Sequence, residues 1–494
     1  MLSHTKQWTQ LLREVRAGRR VCIHSAEVRE GDVFVALPGS RRRGTDFIAE
    51  ALQRGAAWIV SDQGLDPGLS PGRASIVIQP DAGQALGALA VAKYRTGDSD
   101  YQLVGITGTN GKTTVCFGLE YLLHSAGQRV GCLGTITYRW PGREQPAGLT
   151  TPGCLQLHEI LARMEKHVDT VCMEVSSHAL EQQRTAGLHF DLGLFTNLTH
   201  DHLDYHQDMD SYYLAKRRLF FPDQDGRPFP VLNLDDPYGR KLANEAGQGL
   251  GFGLHQQVIP GFDCLQGRLQ RLSKEGLQLE MQFCGERWEL NSLLLGRHNA
   301  SNLLAIQAAG LRLGLTPKAM QSLSDFAGVP GRLERITGTG RGYVFVDYAH
   351  TPDALDNVLR SIREVDFKRV IVVFGCGGNR DIHKRPLMGQ VAARHADVAV
   401  LTSDNPRDED PLAIMHDVFP GLQGAPRLVQ EPDRAKAIEL ALDAAGPDDA
   451  VLIAGKGHET YQEIKGVRYP FSDQDIVKAI GNWREKNTEK QSVL

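Results

Sequence analysis

Residues 104–114 read VGITGTNGKTT, and residues of these types in this order suit one chemistry, the cradling of a polyphosphate. Gly108, Thr109, Asn110 and Gly111 form a loop whose glycines let the backbone wrap closely round a phosphate. The N–H groups that open the following helix point at phosphate oxygens, and the helix dipole favours negative charge there. Lys112 supplies a point charge for the β- and γ-phosphates, and the Thr113 hydroxyl, with Thr114 after it, suits Mg²⁺. The full spacing G-x-x-x-x-G-K-[ST] is not met, because Ile106 stands five residues before Gly111; what is present is the shorter G-T-x-G-K-T form. A glycine turn followed by a surface lysine is the plain alternative, and the apolar run before the loop and the helical pattern after it argue against that.

Four further clusters could act with this loop. The apolar run 170–175 carries Glu174 and leads into Ser176-Ser177-His178, and a phosphate loop needs an acid on a neighbouring strand to hold its metal. Residues 200–206 place three histidines and two aspartates in seven positions. Without cysteine or an H-E-x-x-H pattern, zinc gives way to one Mg²⁺ ligand among hydrogen-bonding neighbours. Lys216 ends Tyr-Tyr-Leu-Ala-Lys on a helical stretch, where a lysine is by default solvated. Asp404-Asn405-Pro406 reads as a turn from which Arg407 projects on a stiffened loop.

These residues need a scaffold, and the periodicity supplies one. Short apolar strands alternate with helical stretches throughout, which predicts an α/β fold in three domains: 1–97, 98–331 and 332–494. In the first, strands 32–36, 57–60 and 75–78 alternate with helices 47–54 and 85–94; Arg41-Arg42-Arg43 beside them reads as a solvated loop. In the second, the near-continuous apolar strands 130–136, 170–175 and 192–198 suit a parallel sheet buried on both faces. Alternation over 268–290 suggests an antiparallel hairpin, a helix returns at 300–311, and 328–332 looks like a linker. The third domain reads as a Rossmann-like sheet with strands 344–348, 370–374, 398–402 and 450–454, but it lacks G-x-G-x-x-G.

Composition narrows the function classes. A formal net charge of −4 over 494 residues gives no basic field for nucleic acid. Apolar stretches fall short of the roughly 18 residues a membrane span needs, and the N-terminus lacks an apolar signal core. Eight cysteines without a C-x-x-C read as reduced, buried side chains. A cytoplasmic monomer is expected, with neither nucleic acid nor membrane as partner.

Over residues 25–472 the sequence resembles the Mur ligases of peptidoglycan synthesis. GTNGKTT, TTP at 150–152, EVSSHAL, TNLTHDHLDYH, YYLAKRRLF, GRHNASNLL, GVPGRLE, VDYAHTPDAL, FGCGGNRDIHKRP, SDNPR and AGKGHE follow one another in the family's order. The resemblance implies a uridine-binding N-terminal domain, a central ATPase domain and a C-terminal amino-acid domain. It also implies a reaction: ATP phosphorylates a carboxylate of UDP-MurNAc-L-Ala-D-Glu, and the amine of meso-diaminopimelate displaces phosphate. By resemblance, Lys112 and Thr113 serve phosphate and a first Mg²⁺. Glu174, His202 and a CO₂-derived carbamate on Lys216 serve a second. Asn299 and Asn302 would meet adenine, Asp347 ribose, and Arg332 the γ-phosphate. Thr150, Thr151, Ser176, Gln182 and Arg184 match positions that hold the UDP-sugar-peptide. Arg380, Asp404, Asn405, Pro406, Arg407, Gly455 and Glu459 match the diaminopimelate pocket. The family's usual Asp-Ser-Arg is His24-Ser25-Ala26 here, which keeps Ser25 for the uridine ligand without the flanking charges. The competing readings are a folylpolyglutamate synthetase, which lacks the uridine domain and the DNPR loop, and a P-loop switch that uses ATP only to change shape.

Overall fold

The computed structural model describes residues 2–481 apart from 40, 41, 67, 98, 200, 202, 223–225 and 338–341. The chain divides into two compact units, one of Met1–Gly253, Gln257–Cys264 and Ala305–Thr316, the other of Leu254–Gln256, Leu265–Leu304 and Pro317–Leu494.

The first unit opens with a four-stranded parallel sheet, β1 (Val21–Cys22), β2 (Val33–Ala36), β3 (Trp58–Ser61) and β4 (Ser75–Ile78), in that order. Its core includes Leu11 and Val15 of the helix Leu2–Arg16. That segment lacks a continuous apolar run, but Leu11 and Val15 lie four apart and share a helical face. The helix Ala82–Tyr94 begins where Asp81 accepts from the Gly83 and Gln84 N–H groups, three residues earlier than periodicity suggests. Within this unit it packs beside the helix Cys154–Met164, where buried His158 meets the Thr96 hydroxyl at 2.5 Å. Burial pushes the His158 imidazole down to about 4.

The same unit carries β5 (Gln102–Thr107), β6 (Val130–Leu133), β7 (Thr137–Trp140), β8 (Arg143–Pro146), β9 (Thr170–Glu174), β10 (Leu192–Phe195), β11 (Phe229–Asn233) and β12 (Gly249–Gly253). They lie in the order β12-β11-β10-β5-β9-β6-β7-β8, the first six parallel and the last two antiparallel. β9 and β10 flank β5, so their C-terminal ends meet the glycine loop that follows it, as parallel α/β sheets require of a binding site.

In the second unit, β13 (Phe262–Ser273), which begins in the first, β14 (Gly276–Phe283) and β15 (Glu286–Ser292) make an antiparallel meander, one strand more than a hairpin. The turns at Gly276 and Gly285 both have positive φ, which suits glycine. The helix Arg297–Arg312 follows, its residues from Ala305 on belonging to the first unit. A six-stranded sheet then forms from β16 (Glu334–Ile336), β17 (Tyr343–Asp347), β18 (Val370–Phe374), β19 (Val398–Leu401), β20 (Leu428–Gln430) and β21 (Ala450–Ala454), in the order β16-β17-β21-β18-β19-β20. Only β16 runs antiparallel. A small hairpin, β22 (Tyr461–Ile464) with β23 (Val467–Pro470), follows, and residues 473–481 are helical, with Asp473 and Val477 buried.

No helix among the described residues is long and apolar enough to cross a membrane. All eight cysteines are free; Cys284 is exposed and Cys264 half-buried, and the other six are buried.

Candidate active site

Lys112 is the first residue of the helix Lys112–Ser125, and Gly111 precedes it with φ 85°, a conformation that favours glycine. At Gly108 a Cβ would stand 1.9 Å from Thr196 Oγ1, so no side chain fits. The loop's shape is held by the segment after β10. Thr109 N donates to Asn197 O (2.8 Å), Asn110 N to Asn197 Oδ1 (2.9 Å) and Thr196 Oγ1 to Asn110 O (2.6 Å). The Thr109 hydroxyl accepts from Thr199 N (3.0 Å) and meets Tyr212 OH (3.1 Å). Lys112 Nζ donates to the loop's own carbonyls, Gly108 O (2.9 Å) and Thr109 O (2.8 Å).

Lys216 is not solvated. The helix Met209–Arg217 turns Tyr212, Tyr213, Ala215 and Lys216 inward, leaving Lys216 1% exposed with Nζ donating to Gly108 O at 2.8 Å. Burial, reinforced by the Lys112 cation, holds the Lys216 ammonium well below the ordinary lysine range.

Glu174 is the hub of the site. It ends β9 opposite Ile106 and is wholly buried. Its Oε2 accepts from the Thr113 hydroxyl (3.0 Å) and the Thr135 hydroxyl (3.0 Å), while Oε1 accepts from Thr135 N (2.9 Å). Gly134 is required beside it, since a Cβ there would lie 2.3 Å from Glu174 Oε1. Sequence reasoning missed Thr135 by running a strand through 136; β6 stops at Leu133, and the Gly-Thr pair after the apolar run was the available signal. Thr135 Oγ1 lies 3.2 Å from Thr150 Oγ1. The Thr151 hydroxyl donates to Glu174 O (2.8 Å) and accepts from Ser176 N (3.1 Å). Ser176 caps the helix Ser177–Glu181. Arg184 Nη1 donates to Thr151 O (3.0 Å) and Nη2 to Gln182 Oε1 (2.7 Å), and Gln182 Nε2 reaches Tyr205 OH (3.1 Å). One hydrogen-bonded chain therefore joins Thr113, Glu174, Thr150, Thr151, Ser176, Gln182 and Arg184 at the mouth of the glycine loop.

Hydroxyl and carboxylate oxygens of this kind fit a hard cation such as Mg²⁺. Among the described residues no group of three or more His, Cys, Asp or Glu side chains could hold a metal ion, so the oxygens of Thr113 and Glu174 are the donors in view. His202 lies outside the described residues. Ser25 sits just after β1, buried, its hydroxyl donating to Glu50 Oε2 at 2.6 Å.

The remaining predicted residues belong to the second unit. Asn299 and Asn302 are buried on the helix Arg297–Arg312, with Asn302 Nδ2 donating to Asn299 Oδ1 (2.9 Å) and Asn299 Nδ2 to Leu295 O (2.8 Å). Asp347 ends β17, accepting from Leu333 N (2.6 Å) and Ala349 N (2.7 Å). Burial raises its carboxyl and the nearby Arg332 guanidinium opposes that rise. Arg332 stacks 5.1 Å over Tyr348. Asp404, Asn405, Pro406 and Arg407 follow β19, while Gly455 and Glu459 follow β21. These two loops meet: Asn405 Nδ2 donates to Glu459 Oε2 (2.9 Å), and Gly455, with φ 118°, sends its N–H to Asp347 O (3.0 Å). Arg407 also has positive φ, at 51°, and its Nη1 donates to Gly378 O (2.7 Å). Arg380 is exposed in the loop after β18.

Three family descriptions match the chain: "Mur ligase family, catalytic domain" over residues 19–94, "Mur ligase middle domain" over 106–310 and "Mur ligase, glutamate ligase domain" over 331–457. A UDP-N-acetylmuramoyl-L-alanyl-D-glutamate--2,6-diaminopimelate ligase of Lawsonia intracellularis is 51% identical over 461 residues, covering 93% of this chain and 95% of that protein. The ligase of the same name from Aquifex aeolicus is 40% identical, covering 93% of each. Among solved structures, a protein of that name superposes with TM-score 0.69 at 33% identity, covering 94% of this chain and 95% of its own. The fold is shared with MurF ligase from Thermotoga maritima in complex with ADP, at TM-score 0.56, 20% identity and coverage of 97% and 99%. With its three domains and its phosphate loop accounted for, the chain belongs to the Mur ligase family.

Proposed function

We propose that this chain is an ATP-dependent amide ligase joining meso-diaminopimelate to the D-glutamate carboxylate of UDP-MurNAc-L-Ala-D-Glu, acting in the cytoplasm as a monomer with functional divisions at 1–97, 98–331 and 332–494. The observation that carries it is the hydrogen-bonded chain centred on Glu174, which couples the phosphate loop through Thr113 to Thr151 and Arg184. The names of the relatives supply the substrates.

A carboxylate is a poor electrophile because its leaving group would be oxide. Transfer of the γ-phosphoryl group makes an acyl phosphate; the incoming amine then attacks the carbonyl carbon, the C–O bond to phosphate breaks, and the amine loses a proton. Two anions must first approach each other, which accounts for Lys112 in the loop and for Arg184 among the residues that take the UDP-sugar-peptide. Two bound Mg²⁺ ions, the first held by Thr113 and the second by Glu174, His202 and a carbamylated Lys216, would neutralise charge on the phosphates. In the second unit Asn299, Asn302, Asp347 and Arg332 take the nucleotide, and Arg380, the 404–407 loop, Gly455 and Glu459 take the amino acid. Ser25 takes the uridine moiety.

Carbamylation of Lys216 needs a neutral amine to attack CO₂ and release a proton, and its burial against Lys112 favours that form. Protein equilibrated with ¹³C-bicarbonate is expected to show a carbamate carbon resonance that Lys216→Ala removes; the same spectrum for both proteins would refute the modification. The activity itself is tested by phosphate release, which should require ATP, UDP-MurNAc-dipeptide and meso-diaminopimelate together. Turnover that ignores the UDP substrate, or that a nucleic acid or protein stimulates in its place, would overturn the proposal.

A further inference from the structure

Lys456, in the turn between Gly455 and Gly457, is 0% exposed. Its Nζ donates to Asn405 Oδ1 (2.9 Å) and Tyr461 O (2.9 Å), and lies 3.3 Å from Asp404 Oδ1 and 3.8 Å from Glu459 Oε2. An ammonium is seldom buried without such partners. Asn405 Oδ1 accepts a second bond, from Glu463 N (3.0 Å), while Asn405 Nδ2 donates to Glu459 Oε2 (2.9 Å).

An asparagine amide can be turned over with little change of shape. Here the turned form would set its NH₂ against an ammonium and a backbone N–H, and its oxygen against a carboxylate. Every contact would be mismatched, so the two donors on Oδ1 decide which way the amide faces. We infer that Lys456 is a positioning residue: it fixes the Asn405 amide and, through Asn405, holds Glu459 with Oε2 engaged and Oε1 left as acceptor for an ammonium of the amino-acid substrate. This rests on the reading above that Asn405 and Glu459 line the amino-acid pocket. Lys456 also stands between the Asp404 and Glu459 carboxylates, and its charge offsets their mutual repulsion.

The test is steady-state ligation by the full chain with each substrate varied in turn. Lys456→Met is expected to raise KM for meso-diaminopimelate at least about tenfold, the loss typical of breaking a buried charged contact. KM for ATP and for the UDP substrate should stay within about twofold, as for sites that share no partners. If Lys456 acts through Asn405, the double variant Lys456→Met/Asn405→Ala has the KM of Asn405→Ala alone. Multiplying effects would mean that Lys456 acts independently, which overturns the proposal, as does an unchanged KM in Lys456→Met beside a raised KM in Asn405→Ala. Lys456→Gln, which keeps a donor and loses the charge, is the second variant. Failure of both to fold would assign Lys456 to stability alone and equally overturn the proposal. If Asn405→Ala and Glu459→Ala themselves leave that KM unchanged, the pocket assignment falls, and the proposal with it.

Discussion

Lys112→Ala loses ligation by more than about a hundredfold in kcat, the order seen when one preorganised electrostatic group is removed from a transition state. The folded protein should survive. The loop is held by its bonds to Thr196, Asn197 and Thr199, and the Lys112 Nζ bonds to the carbonyls of Gly108 and Thr109 add to that frame. What the variant lacks is the cation that draws the γ-phosphate toward a second anion, and Lys216, buried against Gly108, does not replace it. Phosphate release and thermal unfolding measured on the same preparation separate the two effects. Near-normal turnover would remove the phosphate loop from the mechanism; lost turnover with a lost unfolding transition would show a structural lysine instead.

Arg407→Ala abolishes the preference for meso-diaminopimelate over L-lysine. The two amino acids differ by one distal carboxylate, so selectivity needs a cation where that group lands and a penalty when it is missing. Arg407 is built into place: its N–H donates to Glu463 O (3.0 Å), its carbonyl accepts from Lys465 N (2.7 Å), and its guanidinium is anchored on Gly378 O (2.7 Å). The plain picture of a solvated arginine on a turn therefore does not hold. A guanidinium can take a carboxylate through two parallel hydrogen bonds. Glu463 Oε2 lies 3.7 Å from Arg407 Nε and offsets part of its charge, so losing the substrate carboxylate costs about 1.5 to 3 kcal/mol, the range for a hydrogen bond to a charged group, a factor of roughly ten or more. Glu459 and the backbone at Gly455 would receive the distal ammonium and separate the meso from the LL form. Ligation rates with meso-diaminopimelate, LL-diaminopimelate and L-lysine decide it. Equal use of lysine by the unaltered enzyme, or an unchanged preference in Arg407→Ala, would end the assignment.

The phosphate loop was legible because its residues are contiguous: an apolar strand, two glycines and a lysine opening a helix announce themselves within 104–123. The α/β alternation was legible for the same local reason. Thr135 and Lys456 were not. Each acquires meaning only from a partner far along the chain, Glu174 in one case and Asn405 in the other, and nothing in the local pattern separates them from ordinary turn residues. Lys216 was visible only through resemblance, because a lysine on an amphipathic helix is solvated unless the fold turns that face inward. The helix Leu2–Arg16 escaped notice because few of its residues are apolar, although Leu11 and Val15 are fully buried.

The register of the central sheet carries a consequence for folding. β5, β9 and β10 are buried on both faces except at Gln102, so burial alone would accept a neighbour slid by one residue almost as readily as the true alignment, although such a slip sends every side chain to the opposite face. Glu174 makes the alternatives unequal. With Glu174 opposite Ile106 its carboxylate finds the hydroxyls of Thr113 and Thr135; one step away it would lose both donors, at a cost of several kcal/mol if it stayed buried. The residue that prepares the site for a cation thus also acts as an alignment pin, and misaligned sheets are rejected by the same oxygens that the chemistry needs.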